Sequence, residues 1–159
     1  MSPREGLSIA RGIGQFSYRT WTEFESRFAR EAQDDAAVLD NGGYAVVSYL
    51  SHHGEKLAAR FEPNSDIMLS EAMNHHDVGR GRGGVAAALK NVRHRVSVAG
   101  VSSDRLYPRE LQEELARLIP SVGRMAVISS GAGHDGFLLE VEQVGDIIRR
   151  GLEEVDPPH

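Results

Sequence analysis

The sequence predicts an α/β chain: mostly helical up to residue 92, then a parallel β-α-β-α unit. Three observations predict it. Apolar residues before residue 92 recur at helical spacing, whereas two short runs after it, at 95–101 and 125–128, are rich in valine and isoleucine. Each of those runs is followed by an amphipathic stretch of period 3.6. Strand, helix and strand over so short a crossover imply a parallel pair with a right-handed connection.

Leu7, Ala10, Ile13 and Gly14 mark the first helix, and Thr22-Glu23-Phe24-Glu25 reads as a capping box opening a second one through Phe28. Asp34, Asp35 and Asn41-Gly42-Gly43 make a loop. Val47, Leu50, Leu57 and Phe61 predict helical segments broken near Gly54, and Pro63-Asn64-Ser65 starts a helix carrying Ile67, Leu69, Ala72 and Met73. Gly79 to Gly84 should be a loop and Val85 to Leu89 a short helix. The first strand is Arg95 to Val101. Pro108 then signals a helix with Leu111, Leu115, Leu118 and Ile119 on one face. Met125 to Ile128 is the second strand. Phe137, Leu138, Val141, Val144, Ile148 and Leu152 predict one long final helix, stopped at Asp156-Pro157-Pro158. There is no internal repeat. Two parallel strands are too small a sheet to stand alone, so 93–159 is expected to be the tail of a larger α/β sheet whose opening strands are not in this chain.

Composition narrows the classes. The 159 residues suit one ordinary domain, with 40% hydrophobic and 26% charged residues, as in soluble globular proteins. The 18 Lys+Arg against 23 Asp+Glu leave a net charge of −5, which gives no support to nucleic-acid binding. Without cysteine there is no disulfide, thiolate metal site or cysteine nucleophile. No apolar run approaches the ~20 residues of a membrane span, and MSPREGLSIARG carries no signal-peptide hydrophobic region. The expected compartment is the cytoplasm, with no membrane contact.

Ligands of open α/β sheets bind beyond the carboxyl ends of the strands. Asp104 follows the first strand and His134 the second, so parallel neighbours would bring both loops together and allow an Asp–His hydrogen bond. Such a carboxylate fixes the imidazole tautomer and stabilises the imidazolium. Taken singly, Asp104 reads as a turn cap and His134 as a residue near a helix start. At matching positions on consecutive strands, the catalytic pair is the better reading. The order Asp then His also matches the α/β-hydrolase series of nucleophile, acid, histidine. No Gly-x-Ser-x-Gly elbow occurs, and Ser102, Ser103, Ser129 and Ser130 lack its strand–turn–helix setting.

Several blocks, in order over nearly the whole chain, resemble the C-terminal half of the homoserine O-acetyltransferases, acyltransferases of α/β-hydrolase fold in methionine biosynthesis. They are Gly6-Leu7-Ser8-Ile9-Ala10-Arg11 with Ser17-Tyr18-Arg19, Ser48-Tyr49-Leu50 with Gly54-Glu55-Lys56, and Phe61 to Ser65 with Ala72-Met73. The most specific are Ser103-Asp104-Arg105-Leu106-Tyr107-Pro108 and Gly133-His134-Asp135-Gly136-Phe137-Leu138. The resemblance implies acetyl transfer from acetyl-CoA to the homoserine hydroxyl through an acyl-serine, with no bound cofactor. It makes Asp104 and His134 the triad acid and base, and Arg11 and Asp135 the holders of the substrate carboxylate and ammonium. Residues 1–92 would be a helical lid that helps to dimerise, and 93–159 the last strands and helices of the core. The family's nucleophile elbow would lie upstream of Met1, so the isolated chain is expected to be inactive. Asn91-Val92-Arg93-His94 and Ser129-Ser130-Gly131-Ala132 depart from the family pattern.

Other features have plainer readings. His52-His53 and His75-His76 lack ligand spacing for a metal and are expected to be partly exposed lid residues. Arg80 and Arg82 in the Gly79–Gly84 run could meet a CoA phosphate, but the run lacks a P-loop ending and reads as a hinge. Phe24, Phe28, Tyr44 and Tyr49 read as packing, and Asp34-Asp35 as a solvated turn. The alternatives are a non-catalytic dimerisation or binding module, a succinyl-transferring relative, or a simple α/β hydrolase.

Overall fold

A computed structural model describes residues 2–33 and 43–153. The turns expected at Asp34-Asp35 and Asn41-Gly42, and the stop at Asp156-Pro157-Pro158, lie outside the described residues. The chain forms two compact units, Met1–His76 and Asp77–His159.

The first unit is helical. Helix α1 spans Pro3–Tyr18, opened by a capping box in which Ser2 Oγ accepts from the Glu5 N–H and the Glu5 carboxylate from the Ser2 N–H. Helix α2 spans Trp21–Arg27. Its cap is Thr20, two residues before the expected box at Thr22, with the Thr20 hydroxyl accepting from Glu23 N–H at 3.1 Å. Glu23 thus stands in the first turn and pairs with Arg19 at 2.8 Å and Arg27 at 3.2 Å. Helix α4 spans Pro63–His75 and is capped by Glu62, whose carboxylate accepts from Ser65 N–H at 2.9 Å.

Helix α3, Ala45–Arg60, corrects a second expectation: it runs unbroken through Gly54. That glycine is buried against α1, and a Cβ there would stand 2.5 Å from the Ser8 carbonyl oxygen. Gly54 is therefore a point of close helix approach, not a break. The face that α1 turns to α3 also differs from the expected apolar series. Leu7, Ser8 and Gln15 lie inward, whereas Ile13 is 67% exposed. Gln15, 2% exposed, donates through Nε2 to the Tyr49 hydroxyl at 2.7 Å. Tyr49 packs against Phe24 and Phe28, with ring centroids 6.0 and 5.0 Å apart, and Arg27 lies 4.8 Å over its face. Phe24, Phe28 and Tyr49 form a packed cluster.

His53 stacks edge-on against Tyr49 at 4.6 Å. Burial, and then the nearby His52, Arg11, Lys56 and Arg19, hold its imidazole below the ordinary value of 6.5. A base with a depressed folded pKa favours the unfolded state once protons are available. Its penalty is absent well above pH 6.5 and grows as the pH falls below that value. His53→Gln should accordingly lose less Tm than wild type between about pH 7 and about pH 5; equal losses would refute the assignment.

The second unit begins with turns over the Gly79–Gly84 run, where Gly81, Gly83 and Gly84 take positive φ. Helix α5 (Val85–Lys90) packs on α6 (Arg109–Leu118), which Pro108 caps. Strands β1 (Ala99–Val101) and β2 (Ala126–Ile128) pair in parallel, Gly100 opposite Val127. Both strands are shorter than expected. The Ala126 N–H reaches the Val98 carbonyl at 2.9 Å, and residues 95–97 and Met125 stand outside the ladder. Val101 and Ile128, each 4% exposed, anchor the small core.

The single final helix is in fact two, α7 (Gly136–Leu139) and α8 (Val141–Glu153), parted at Glu140 with ψ 58°. Gln143 supplies the reason. Its amide accepts from Ser129 N–H at 2.8 Å and donates to the Ser129 carbonyl at 2.9 Å, tying α8 to the end of β2 in its own direction.

Candidate active site

Both loops at the carboxyl ends of the strands turn back sharply. After β1, the Asp104 side chain folds onto its own loop: Oδ1 accepts from Leu106 N–H at 2.8 Å and Tyr107 N–H at 3.0 Å. After β2, a 3-10 turn over Gly133–Asp135 leads directly into α7. Gly133 opens it at φ +72°, a conformation that favours glycine.

These turns bring Asp104 Oδ2 to 2.9 Å from His134 Nδ1. The carboxylate side chain is 7% exposed and the imidazole 21%. An ionised carboxylate only accepts, so Nδ1 carries the proton and the ring's second lone pair lies on Nε2. The ring stands between Tyr107 and Phe137, each with its centroid 5.4 Å away. In front of it opens a cavity of about 560 Å³, lined by Gly100, Leu111 and Leu115 beside Asp104, Tyr107 and His134. The apolar face of α6 thus points at the pair. A partly buried, tautomer-fixed imidazole beside a cavity is suited to taking and returning a proton.

Asp135 adjoins His134 in the 3-10 turn and is half-buried. Arg11 belongs to the first unit, half-buried on α1, with its guanidinium 5.4 Å from the Tyr18 ring centroid. Each is placed within its own unit. Tyr107 and Phe137, which flank the imidazole, carry no role in the sequence reading; their place beside Asp104 and His134 in the chain was the available signal. Ser102, Ser103 and Ser130 make hydrogen bonds between the two loops. Among the described residues no group of three or more His, Cys, Asp or Glu is disposed to hold a metal, and no helix is long and apolar enough to cross a membrane.

A parallel strand pair flanked by helices, with an Asp–His pair beyond its carboxyl ends, defines the C-terminal part of an α/β-hydrolase-type protein. A crystal structure of an acetylester hydrolase from Corynebacterium glutamicum is similar in fold: TM-score 0.69, 26% identity, over 96% of this chain and 42% of that one. Homoserine O-acetyltransferases of Mycolicibacterium smegmatis and Thermobifida fusca are each 52% identical over 152 residues, 96% of this chain and 40% of their own length. That of Nocardia farcinica is 51% identical over 147 residues, 92% of this chain and 38% of its own. By sequence the chain is similar to the C-terminal part of homoserine O-acetyltransferases. It spans about 40% of the length of these relatives. No protein-family model matches it.

Proposed function

We propose that this chain supplies the acid–base half of an acetyl transfer from acetyl-CoA to the homoserine hydroxyl. The observation that carries the proposal is the 2.9 Å bond between His134 Nδ1 and Asp104 Oδ2. With Nδ1 held, His134 Nε2 accepts the proton of a nucleophilic serine hydroxyl contributed by the family's N-terminal part as that oxygen attacks the thioester carbonyl. The proton passes to the departing CoA sulfur. Nε2 then takes the proton of the homoserine hydroxyl as it attacks the acyl-serine, and returns it to the serine oxygen. Asp104 stabilises the imidazolium formed in each half.

Arg11 holds the homoserine carboxylate and Asp135 its ammonium. Residues 1–92 form a lid and 93–159 the end of the catalytic core of a cytoplasmic enzyme without a bound cofactor. Exposed apolar residues of α1 and α4, among them Ile13, Phe16 and Met68, offer a surface to a second copy. A simple hydrolase is the second reading, favoured by the acetylester hydrolase likeness. There water replaces homoserine, and the same His134 serves.

Complementation tests the reading. The chain is co-expressed with the N-terminal part of the Mycolicibacterium smegmatis relative, and thiol release from acetyl-CoA is followed with and without homoserine. Homoserine-dependent release by the pair, with none from the 159-residue chain alone and a size-exclusion mass of two pairs, is the expected result. Release by the chain alone would refute the proposal, and homoserine-independent release would favour the hydrolase.

A further inference from the structure

Beyond the strand ends, side chains continue what the backbone ladder begins. The Ser102 N–H still reaches the Ile128 carbonyl, at 2.9 Å. Serine hydroxyls then join the loops: Ser102 Oγ accepts from Ser130 N–H at 3.2 Å, and Ser103 Oγ accepts from Gly133 N–H at 3.0 Å. Ser103 directly precedes Asp104, and Gly133 directly precedes His134. The Ser103–Gly133 bond therefore runs beside the Asp104–His134 bond, one residue away in both loops. Two such rungs fix the relative position of their partners, where one rung leaves a hinge. Gly133 is buried at φ +72°. A glycine there has wide conformational freedom, and this hydroxyl is what restrains its amide.

We propose that Ser103 is a positioning residue: its hydroxyl holds the Gly133 amide and so seats the His134 ring on Asp104. Only the effect on turnover rests on the acid–base reading above; the seating itself does not. The Ser102 hydroxyl braces the same loop three residues earlier, at Ser130. It is the control.

The test is nitrogen-15 NMR of the His134 ring in the full 159-residue chain. Wild type and Ser102→Ala should show a downfield Nδ1–H resonance and the Nδ1–H tautomer. Ser103→Ala should lose that resonance and move toward Nε2–H, and Ser103→Thr should keep it. Should Ser103→Ala fail to fold, Ser103→Thr against the isosteric Ser103→Val reads the same hydroxyl. In the complemented enzyme Ser103→Ala should lower kcat by about 10- to 100-fold, with KM for homoserine changed by less than about twofold. An unchanged Nδ1–H resonance in the Ala or Val variant would overturn the proposal, as would its absence from wild type. A His134→Ala enzyme of undiminished turnover would instead overturn the acid–base reading and leave the NMR result to decide the seating.

Discussion

Asp104→Asn should reduce kcat of the complemented enzyme by about 10⁴-fold while leaving KM for homoserine nearly unchanged. The local geometry dictates the sign. Asp104 Oδ1 is pinned by two backbone donors, Leu106 N–H at 2.8 Å and Tyr107 N–H at 3.0 Å. In asparagine the carbonyl oxygen must occupy that position, because an amide nitrogen there would face two N–H groups. The amide nitrogen is then forced into the place of Oδ2, opposite His134 Nδ1. It donates to Nδ1, so the ring's proton moves to Nε2 and the base is lost at the atom that needs it. His134→Ala removes the base altogether and should cost more, on the order of 10⁶-fold in kcat. A tenfold loss or less in either variant would exclude the base role.

The largest effect on stability is expected at Gly54. A Cβ at that position would stand 2.5 Å from the backbone oxygen of Ser8, and backbone cannot swing aside as a side chain can. Gly54→Val should force α1 and α3 apart and destabilise the first unit by about 3 kcal/mol. That corresponds to a fall of roughly 10 °C or more in its Tm. Ser8→Gly should not rescue the loss, because the clash is with the main chain. Full rescue, or a Tm unchanged by Gly54→Val, would contradict this account of the helix contact.

How much of this was legible depends on what each element is made of. The helix opened by Pro63 and the short one at Val85 were readable because local chemistry, a proline at the first turn or a glycine run before it, dictates them. The Asp104 and His134 loops were readable from strand order alone, since parallel neighbours leave their carboxyl ends adjacent. The α1–α3 contact was not. It is made by Ser8, Gly54 and the Gln15–Tyr49 hydrogen bond, small and polar groups that a hydrophobic period does not register. The breadth of the strands was overread for a related reason. Valine-rich residues 96–98 have strand propensity, but a ladder extends only as far as a partner backbone faces it. The split of the last helix came from Gln143, a single tertiary clasp invisible to periodicity.

That clasp also gives the sheet a direction. In a parallel ladder successive residues present their backbone groups to opposite edges. Ala126 and Ile128 bond to the β1 side, so Val127 and Ser129 face outward. With both backbone groups of Ser129 taken by one glutamine amide, the outer margin of β2 is closed at its carboxyl end. Gln143 acts there as a one-residue end-stop.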